Sequence, residues 1–258
     1  MCNGAACNQC GAGCWNNAAP YCEHDVTDRH GEPNYTTVTR TTSRNAKIAI
    51  YTSITASKDS VKTPWHRAGV DLVLFSDEAP VDRSWGVRHP CNLFTDPRRN
   101  SRAPKILAHQ YLPGYDFSLW VDGSVRLLVP AHVLIDSFLG DSDIALFKHQ
   151  CRDCIYDEAT ACMEQGLDHP DVISTQMVRY RAAQYPARNG LSECGVLLRR
   201  HTPSIEAFNN AWWAEYCRHS CRDQLSVDYV LRNHDIRPTF LPGSIVENPG
   251  IAILEAHR

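Results

Sequence analysis

A run of apolar residues, Phe117 to Val121, is the feature that most restricts how this chain can fold. It contains one serine and no alternation of polar and apolar positions, which is typical of a strand buried on both faces of a sheet. Such strands belong to α/β proteins, in which helices cover a parallel sheet. The run stops at Asp122 and Gly123. These two residues either form a turn that opens a hairpin into residues 125–128, or lie at the mouth of a site at the carboxyl end of the strand.

Composition restricts the class of protein further. The chain has 258 residues, 43% of them hydrophobic, and a net charge of -3. It can therefore bury a full core, and the net charge predicts no strong electrostatic binding to nucleic acid or to a membrane surface. No segment approaches the roughly 20 apolar residues of a membrane span, and the N-terminus lacks the pattern of a signal peptide. We expect a cytoplasmic protein without membrane insertion, located in the host cytoplasm if its source is viral.

Residues 1–45 differ from the rest and are predicted to be a Cys-rich extension and linker. They have few large apolar side chains and cannot form their own core. Cys7, Cys10 and Cys14 are close enough in sequence to bind a structural Zn²⁺ tetrahedrally. Candidates for the fourth ligand are Cys22, Cys2 and His24. The alternatives are an iron–sulfur cluster, a disulfide knot or a thiol-rich tail.

Residues 46–258 are predicted to form one α/β domain. Two compact apolar segments, residues 47–53 and 70–77, indicate parallel strands at the start of a Rossmann-like half. The chain has neither a G-x-G-x-x-G motif nor a P-loop lysine, which excludes the usual dinucleotide and P-loop sites. Further strands are predicted at residues 85–89, 143–149, 191–200 and 236–241, and helices at 98–111, 130–138, 151–165, 171–185, 203–219 and 222–233.

Polar residues stand at the ends of several predicted strands and could converge on one crevice. Asp77, Asp122 and His149 end strands, Glu193 begins one, and Asp223 begins a helix. Asp122 and His149 would offer an oxygen and a nitrogen to Mn²⁺ or Mg²⁺. Taken singly, each of these residues could equally be an ordinary surface or helix-end group.

Three basic residues complete this hypothesis. Arg102, Lys105 and Arg152 would neutralise the phosphates of a nucleoside diphosphate and stabilise its departure. The pattern indicates glycosyl or phosphoryl transfer.

Five ordered blocks between residues 102 and 231 resemble a known family. The blocks contain Arg102-x2-Lys105, Trp120-Val121-Asp122-Gly123, His149-x2-Arg152, Ser192-Glu193-x-Gly195 and Arg222-Asp223-Gln224. They are similar to a glycosyltransferase-like family that includes plant mucilage and cell-wall proteins, bacterial capsular-polysaccharide proteins and an algal-virus capsid glycosyltransferase. The Cys-rich extension lies outside the resemblance.

The resemblance implies a GT-A fold, a nucleotide-sugar donor, expected to be a UDP-sugar, and a divalent metal at a D-x-D-like motif. Here the motif is Asp122-Gly123-Ser124, so the second acid is missing. The implied metal ligands are Asp122, Ser124 and His149. Matched by position, Arg102 and Lys105 lie near the donor; Tyr51, Thr52 and Asp77 lie near its base and ribose; Asp223 and Gln224 lie near the transferred sugar.

Two mechanisms remain open. In an inverting transfer, Glu193 or Asp223 takes the proton of the acceptor hydroxyl, whereas in a retaining transfer the leaving phosphate takes it. Glu193 could instead form a strand-end salt bridge with Arg199 or Arg152.

The acceptor could be a glycan, a protein or a hydroxylated DNA base. The alternative function is a catalytically inactive GT-A-like module that binds glycan or nucleic acid.

The zinc hypothesis yields a direct prediction. If three or four of the cysteines bind Zn²⁺ as thiolates, the purified protein should contain about one zinc ion per chain. Elemental analysis checks this, and a preparation without zinc would contradict the hypothesis.

Overall fold

A computed structural model describes residues 45–78, 80, 82–90, 92–247 and 250–255 of the chain. Cys7, Cys10, Cys14 and Cys22 lie outside the described residues, so the zinc site and the division at residue 45 stay predictions. Within the described part, no helix combines the length and the apolar composition needed to cross a membrane.

The described residues form nine strands and seven helices. The strands are β1 (Ile48–Ile54), β2 (Asp71–Ser76), β3 (Gly86–Arg88), β4 (Phe117–Val121), β5 (Val125–Leu127), β6 (Ile144–Lys148), β7 (Ser192–Arg200), β8 (Thr239–Leu241) and β9 (Ala252–Leu254). The helices are α1 (Pro97–Ile106), α2 (Ala108–Tyr111), α3 (Ala131–Phe138), α4 (Ile155–Glu164), α5 (Pro170–Ala182), α6 (Pro203–Arg218) and α7 (Gln224–Asn233).

Seven of the strands form one sheet in the order β3-β2-β1-β4-β7-β6-β8. The first four are parallel to one another, β7 is antiparallel to both of its neighbours, and β6 is parallel to β8. All residues of β1 and β4 are buried, as the apolar runs predict. The prediction of an α/β fold with a parallel-rich, Rossmann-like sheet is confirmed.

The direction of each strand determines which residues meet. The carboxyl ends of β2, β4 and β6 share one edge of the sheet with the amino end of β7, because β7 runs the opposite way. This edge therefore receives Asp77, Asp122, His149 and Glu193. It is the edge at which open α/β sheets bind ligands.

The hairpin interpretation of Asp122–Gly123 is wrong. The amide of Val125 does donate to the carbonyl of Asp122 at 2.9 Å, which makes a turn. However, β5 pairs antiparallel with β9 in a separate two-stranded sheet rather than with β4. The sequence did not predict β9, which follows the expected last strand.

The predicted helix over residues 98–111 is two helices. Asp96 caps α1 by accepting from the amide of Arg98 at 2.9 Å, and Pro97 occupies the first turn. The helix stops at Ile106 because Leu107 leaves the helical conformation. The carbonyl oxygens of Lys105 and Ile106 are then free to accept from a side chain on another element.

That side chain is Arg199 of β7, which is fully buried. Its guanidinium donates to the carbonyls of Lys105 at 2.5 Å and Ile106 at 3.2 Å, and to Asn209 Oδ1 at 2.9 Å. It also donates to the hydroxyl of Tyr51 in β1. One cation thus joins the sheet to the end of α1.

Replacing Arg199 by methionine should destabilise the fold. The change leaves several buried acceptors without a donor, so we expect a loss on the order of 3 kcal/mol in the free energy of unfolding. Urea denaturation measures it. Arg200→Met is the matched control, because the Arg200 side chain is 38% exposed and pairs with Asp143 at the surface; it should cost under about 1 kcal/mol. Equal losses in the two variants would contradict the account.

Candidate functional site

Lys105 lies at the centre of a cluster of charges at this edge of the sheet. Its side chain is only 1% exposed, and its Nζ lies 3.3 Å from Asp122 Oδ1 and 2.6 Å from Asp223 Oδ2. The ammonium group also lies 5.3 Å from the centre of the Trp120 ring, within the range of a cation–π interaction. The cluster therefore joins the last turn of α1, the end of β4 and the start of α7.

Asp122 is held in place by its backbone and by its side chain. Its amide donates to the carbonyl of Gly195 at 2.8 Å, and its Oδ1 accepts from Trp120 Nε1 at 2.8 Å. The side chain is nevertheless 34% exposed. Asp122 therefore lies at the mouth of the site.

Asp223 is more deeply buried than Asp122 and is surrounded by cations. Arg102 Nε lies 3.6 Å from its Oδ1. Burial by itself would raise the pKa of Asp223, but the nearby charges of Lys105, Arg102 and Arg222 hold it well below the usual range. Asp223 is therefore a carboxylate at all physiological pH values.

Several buried donors of this cluster have no hydrogen-bond partner among the described residues. They are the Nε atoms of Arg102 and Arg222 and the Nε2 atom of Gln224. Buried donors are almost always satisfied in folded proteins, so unpaired ones indicate a missing acceptor. Three cations face two carboxylates here, which favours an anionic acceptor.

A second cluster surrounds the buried carboxylate of Glu158 in α4. Glu158 accepts from Arg152 Nε at 2.6 Å and lies 3.6 Å from His149 Nε2. The Nδ1 atom of His149 accepts from the amides of Cys151 and Arg152 at 3.2 and 3.0 Å. Arg152, which was predicted to neutralise the donor phosphates, is thus paired with Glu158 in this structure.

Glu193 faces a loop that follows β8. Its Oε2 accepts from the amide of Ile245 at 2.9 Å. Burial raises its pKa, although backbone hydrogen bonds from Ile245 and Gln150 oppose the shift. The alternative role of Glu193, a salt bridge with Arg199 or Arg152, is not seen among the described residues, because those cations contact other groups.

The residues expected to bind a divalent metal do not form a cation site in the described geometry. No group of three His, Cys, Asp or Glu side chains among the described residues is arranged to hold a metal ion. The Oδ1 atom of Asp122 already accepts from Lys105 and Trp120. Ser124 offers only a neutral hydroxyl, and both ring nitrogens of His149 face other protein groups. The requirement for Mn²⁺ or Mg²⁺ stays a prediction.

The predicted base and ribose subsite is only partly supported. Tyr51 and Thr52 are buried inside the sheet, 0% and 1% exposed, so in this structure they are core residues rather than donor contacts. The Tyr51 hydroxyl donates to the carbonyl of Lys105 at 3.2 Å. Asp77 is exposed and accepts from the amide of Ala56 at 3.0 Å, at the correct edge of the sheet.

Two residues of the site were not among the site residues predicted from the sequence. Arg222 precedes Asp223 and adds a third cation, and Glu158 neutralises Arg152. The adjacency of Arg222 to Asp223 could have indicated the first. Glu158 has no such signal, because it reaches the site only through the packing of α4.

The sequence model of the TOD1/MUCI70 glycosyltransferase-like domain matches residues 86–241 of the chain. The chain belongs to this family. The resemblance seen in the sequence motifs is thereby confirmed, and the TOD1/MUCI70 match includes Arg102, Lys105, Asp122 and Asp223.

Two curated relatives from Arabidopsis thaliana carry different names. "Probable hexosyltransferase MUCI70" is 31% identical over 147 residues, which is 53% of this chain and 25% of the relative. "Alkaline ceramidase TOD1" is 29% identical over 154 residues, which is 55% of this chain and 33% of the relative. This TOD1/MUCI70 family member thus spans a quarter to a third of the length of these relatives.

Solved structures give a weaker likeness. A WbbM bifunctional glycosyltransferase in its apo form has a TM-score of 0.47 and 13% identity over 76% of this chain and 38% of its own. Mouse xyloside xylosyltransferase 1, also apo, has a TM-score of 0.45 and 10% identity over 76% of this chain and 85% of its own. At these scores the likeness supports no inference about the site.

The ring of His149 should be neutral and should have one defined tautomer. Burial lowers the pKa of His149 to about 4; the charge of Glu158 opposes this shift, and that of Arg152 adds to it. Because Nδ1 accepts two amides, the proton should be on Nε2. Nitrogen-detected NMR, assigned with a His149→Gln variant, should show this tautomer down to about pH 5.

Linkage gives the sign of the accompanying stability change. As the pH falls, His149 takes up a proton at a higher pH in the unfolded chain than in the folded one. This residue therefore makes the fold less stable as the pH falls from about 6.5 towards 4. A ring that titrates near pH 6.5 in the folded protein would contradict the geometry.

Proposed function

We propose that this domain transfers a sugar from a nucleoside diphosphate sugar to an acceptor hydroxyl. The observation that carries the proposal is the cluster of the buried Lys105 with the partly buried Arg102 and Arg222, and its unpaired donors, at the edge of the sheet where ligands bind. A diphosphate supplies the anionic acceptors that these donors lack. Membership in a glycosyltransferase-like family supports the same chemistry.

The cations act on the leaving group. Cleavage of the sugar–phosphate bond leaves negative charge on the diphosphate, and preorganised cations at that position lower the barrier. Lys105 is preorganised by Asp122 and Asp223, and Arg102 by Asp223. None of them has to be reoriented when the charge develops.

The two candidate carboxylates have different roles. Asp223 is held ionised, so it is a poor proton acceptor; it fixes Lys105 and faces the positive charge that develops on the sugar ring. Glu193 has a pKa raised by burial, which brings it closer to the working pH of a general base. Glu193 therefore takes the proton of the acceptor hydroxyl, as in an inverting transfer.

The name of one relative raises ceramide hydrolysis as another activity in the family. Ceramide is an uncharged amide and gives a buried cationic cluster no partner. The unpaired donors therefore favour a phosphorylated ligand over a neutral lipid.

Substitution of Asp122 by asparagine tests the proposal. The variant removes the charge that pairs with Lys105. We expect the rate at which nucleoside diphosphate is released from the donor to fall at least about 100-fold. The variant should stay folded, because Asp223 still pairs with Lys105 and the asparagine oxygen can still accept from Trp120. Product release is measured by chromatography with UDP-, GDP-, ADP- and CMP-sugars, first without and then with a panel of glycan, protein and hydroxylated DNA acceptors.

Asp116→Asn is the matched control. Asp116 precedes the same strand at its opposite end, where Oδ2 accepts from the amide of Lys47 at 2.8 Å. This variant should turn over the donor like the wild type. Unchanged turnover in Asp122→Asn would contradict the proposed role of the cluster. Binding without turnover by the wild type would identify an inactive binding module, and ceramide hydrolysis without sugar transfer would replace the proposal.

A further inference from the structure

The ammonium group of Lys105 lies 3.3 Å from Oδ1 of Asp122, the one carboxylate of the D-x-D-like motif. We propose that this protein binds the diphosphate of its donor through the Lys105, Arg102 and Arg222 cations without a divalent metal ion. The inference rests on the proposed function and specifies how the same site recognises its donor.

The described residues offer few oxygen ligands for a metal, and the Oδ1 atom of Asp122 is already engaged. Mg²⁺ and Mn²⁺ prefer several carboxylate or phosphate oxygens. Here Asp122 is followed two residues later by Ser124 rather than by a second acid. The Oδ1 atom of Asp122 accepts from Trp120 and is 3.3 Å from the Lys105 ammonium group. A divalent cation bound to that oxygen would lie close to the buried positive charge of Lys105 and would be repelled by it.

The second carboxylate of the cluster is also engaged. Asp223 Oδ2 lies 2.6 Å from Lys105 Nζ, and Oδ1 lies 3.6 Å from Arg102 Nε. Its strongly lowered pKa reflects how closely these cations surround it. A metal could bind Asp223 only by displacing them.

The same cations have capacity left for an anion. An ammonium group has three donors, and Asp122 and Asp223 account for two of those of Lys105. The Nε atoms of Arg102 and Arg222 are buried without a hydrogen-bond partner in the described part of the chain. Two carboxylates do not neutralise three cations, so the cluster keeps a positive charge that a diphosphate can compensate.

Calorimetric titration of the full chain with UDP, GDP and ADP tests the inference. Each titration is performed with excess EDTA and again with Mn²⁺. For the nucleotide that binds best, we expect dissociation constants that agree within about threefold in the two conditions. Binding that is at least about tenfold tighter with Mn²⁺ would overturn the inference and leave the proposed function intact. No binding of any nucleotide in either condition would overturn both.

A variant links the binding to the cluster. Arg102→Gln keeps hydrogen-bond donors but removes the charge, and in EDTA it should weaken nucleotide binding at least about tenfold. Arg98→Gln is the control, one turn earlier on α1, where the side chain is 56% exposed and pairs with Asp96; its affinity should match that of the wild type.

Circular dichroism establishes that both variants are folded. If Arg102→Gln does not fold, Arg222→Gln replaces it with the same expectation. Wild-type affinity in the folded variant would overturn the inference.

Discussion

Burial of the Lys105 ammonium group is the constraint on which the site depends. Removing a charge from water costs several kcal/mol unless opposite charges and hydrogen bonds compensate. Asp122 and Asp223 supply that compensation at 3.3 and 2.6 Å. Because the two acids follow β4 and precede α7, the electrostatic requirement also fixes how α1, the sheet and α7 meet. A structural necessity thus concentrates charge at the edge of the sheet where a ligand binds.

The position of Lys105 depends in turn on Arg199. Because this guanidinium is fully buried, it donates to the carbonyls at the end of α1, including that of Lys105 itself, rather than to solvent. The hydroxyl of Tyr51 donates to the same carbonyl. The backbone of Lys105 is therefore anchored to β1 and β7, and this anchoring fixes the position from which the Lys105 side chain extends into the cluster. Such anchoring is what electrostatic stabilisation of a leaving group requires.

Much of this arrangement could be predicted from local sequence patterns. Apolar runs that end in a polar residue correctly indicated the strands and placed Asp122 at their common edge. What the sequence could not reveal were contacts between distant elements. Tyr51 was matched to the donor site by its position in the family resemblance, but Arg199, 148 positions away in sequence, holds its hydroxyl in the core. Glu158 and β9 were missed for the same reason, since only tertiary packing gives them their partners.

A crystal structure with a bound nucleoside diphosphate would test the central claim most directly. The account predicts diphosphate oxygens within about 3 Å of Lys105 Nζ and of the Nε atoms of Arg102 and Arg222. Those atoms would then have the acceptors that they lack among the described residues. A nucleotide bound elsewhere, with the Lys105 cluster unchanged, would contradict it.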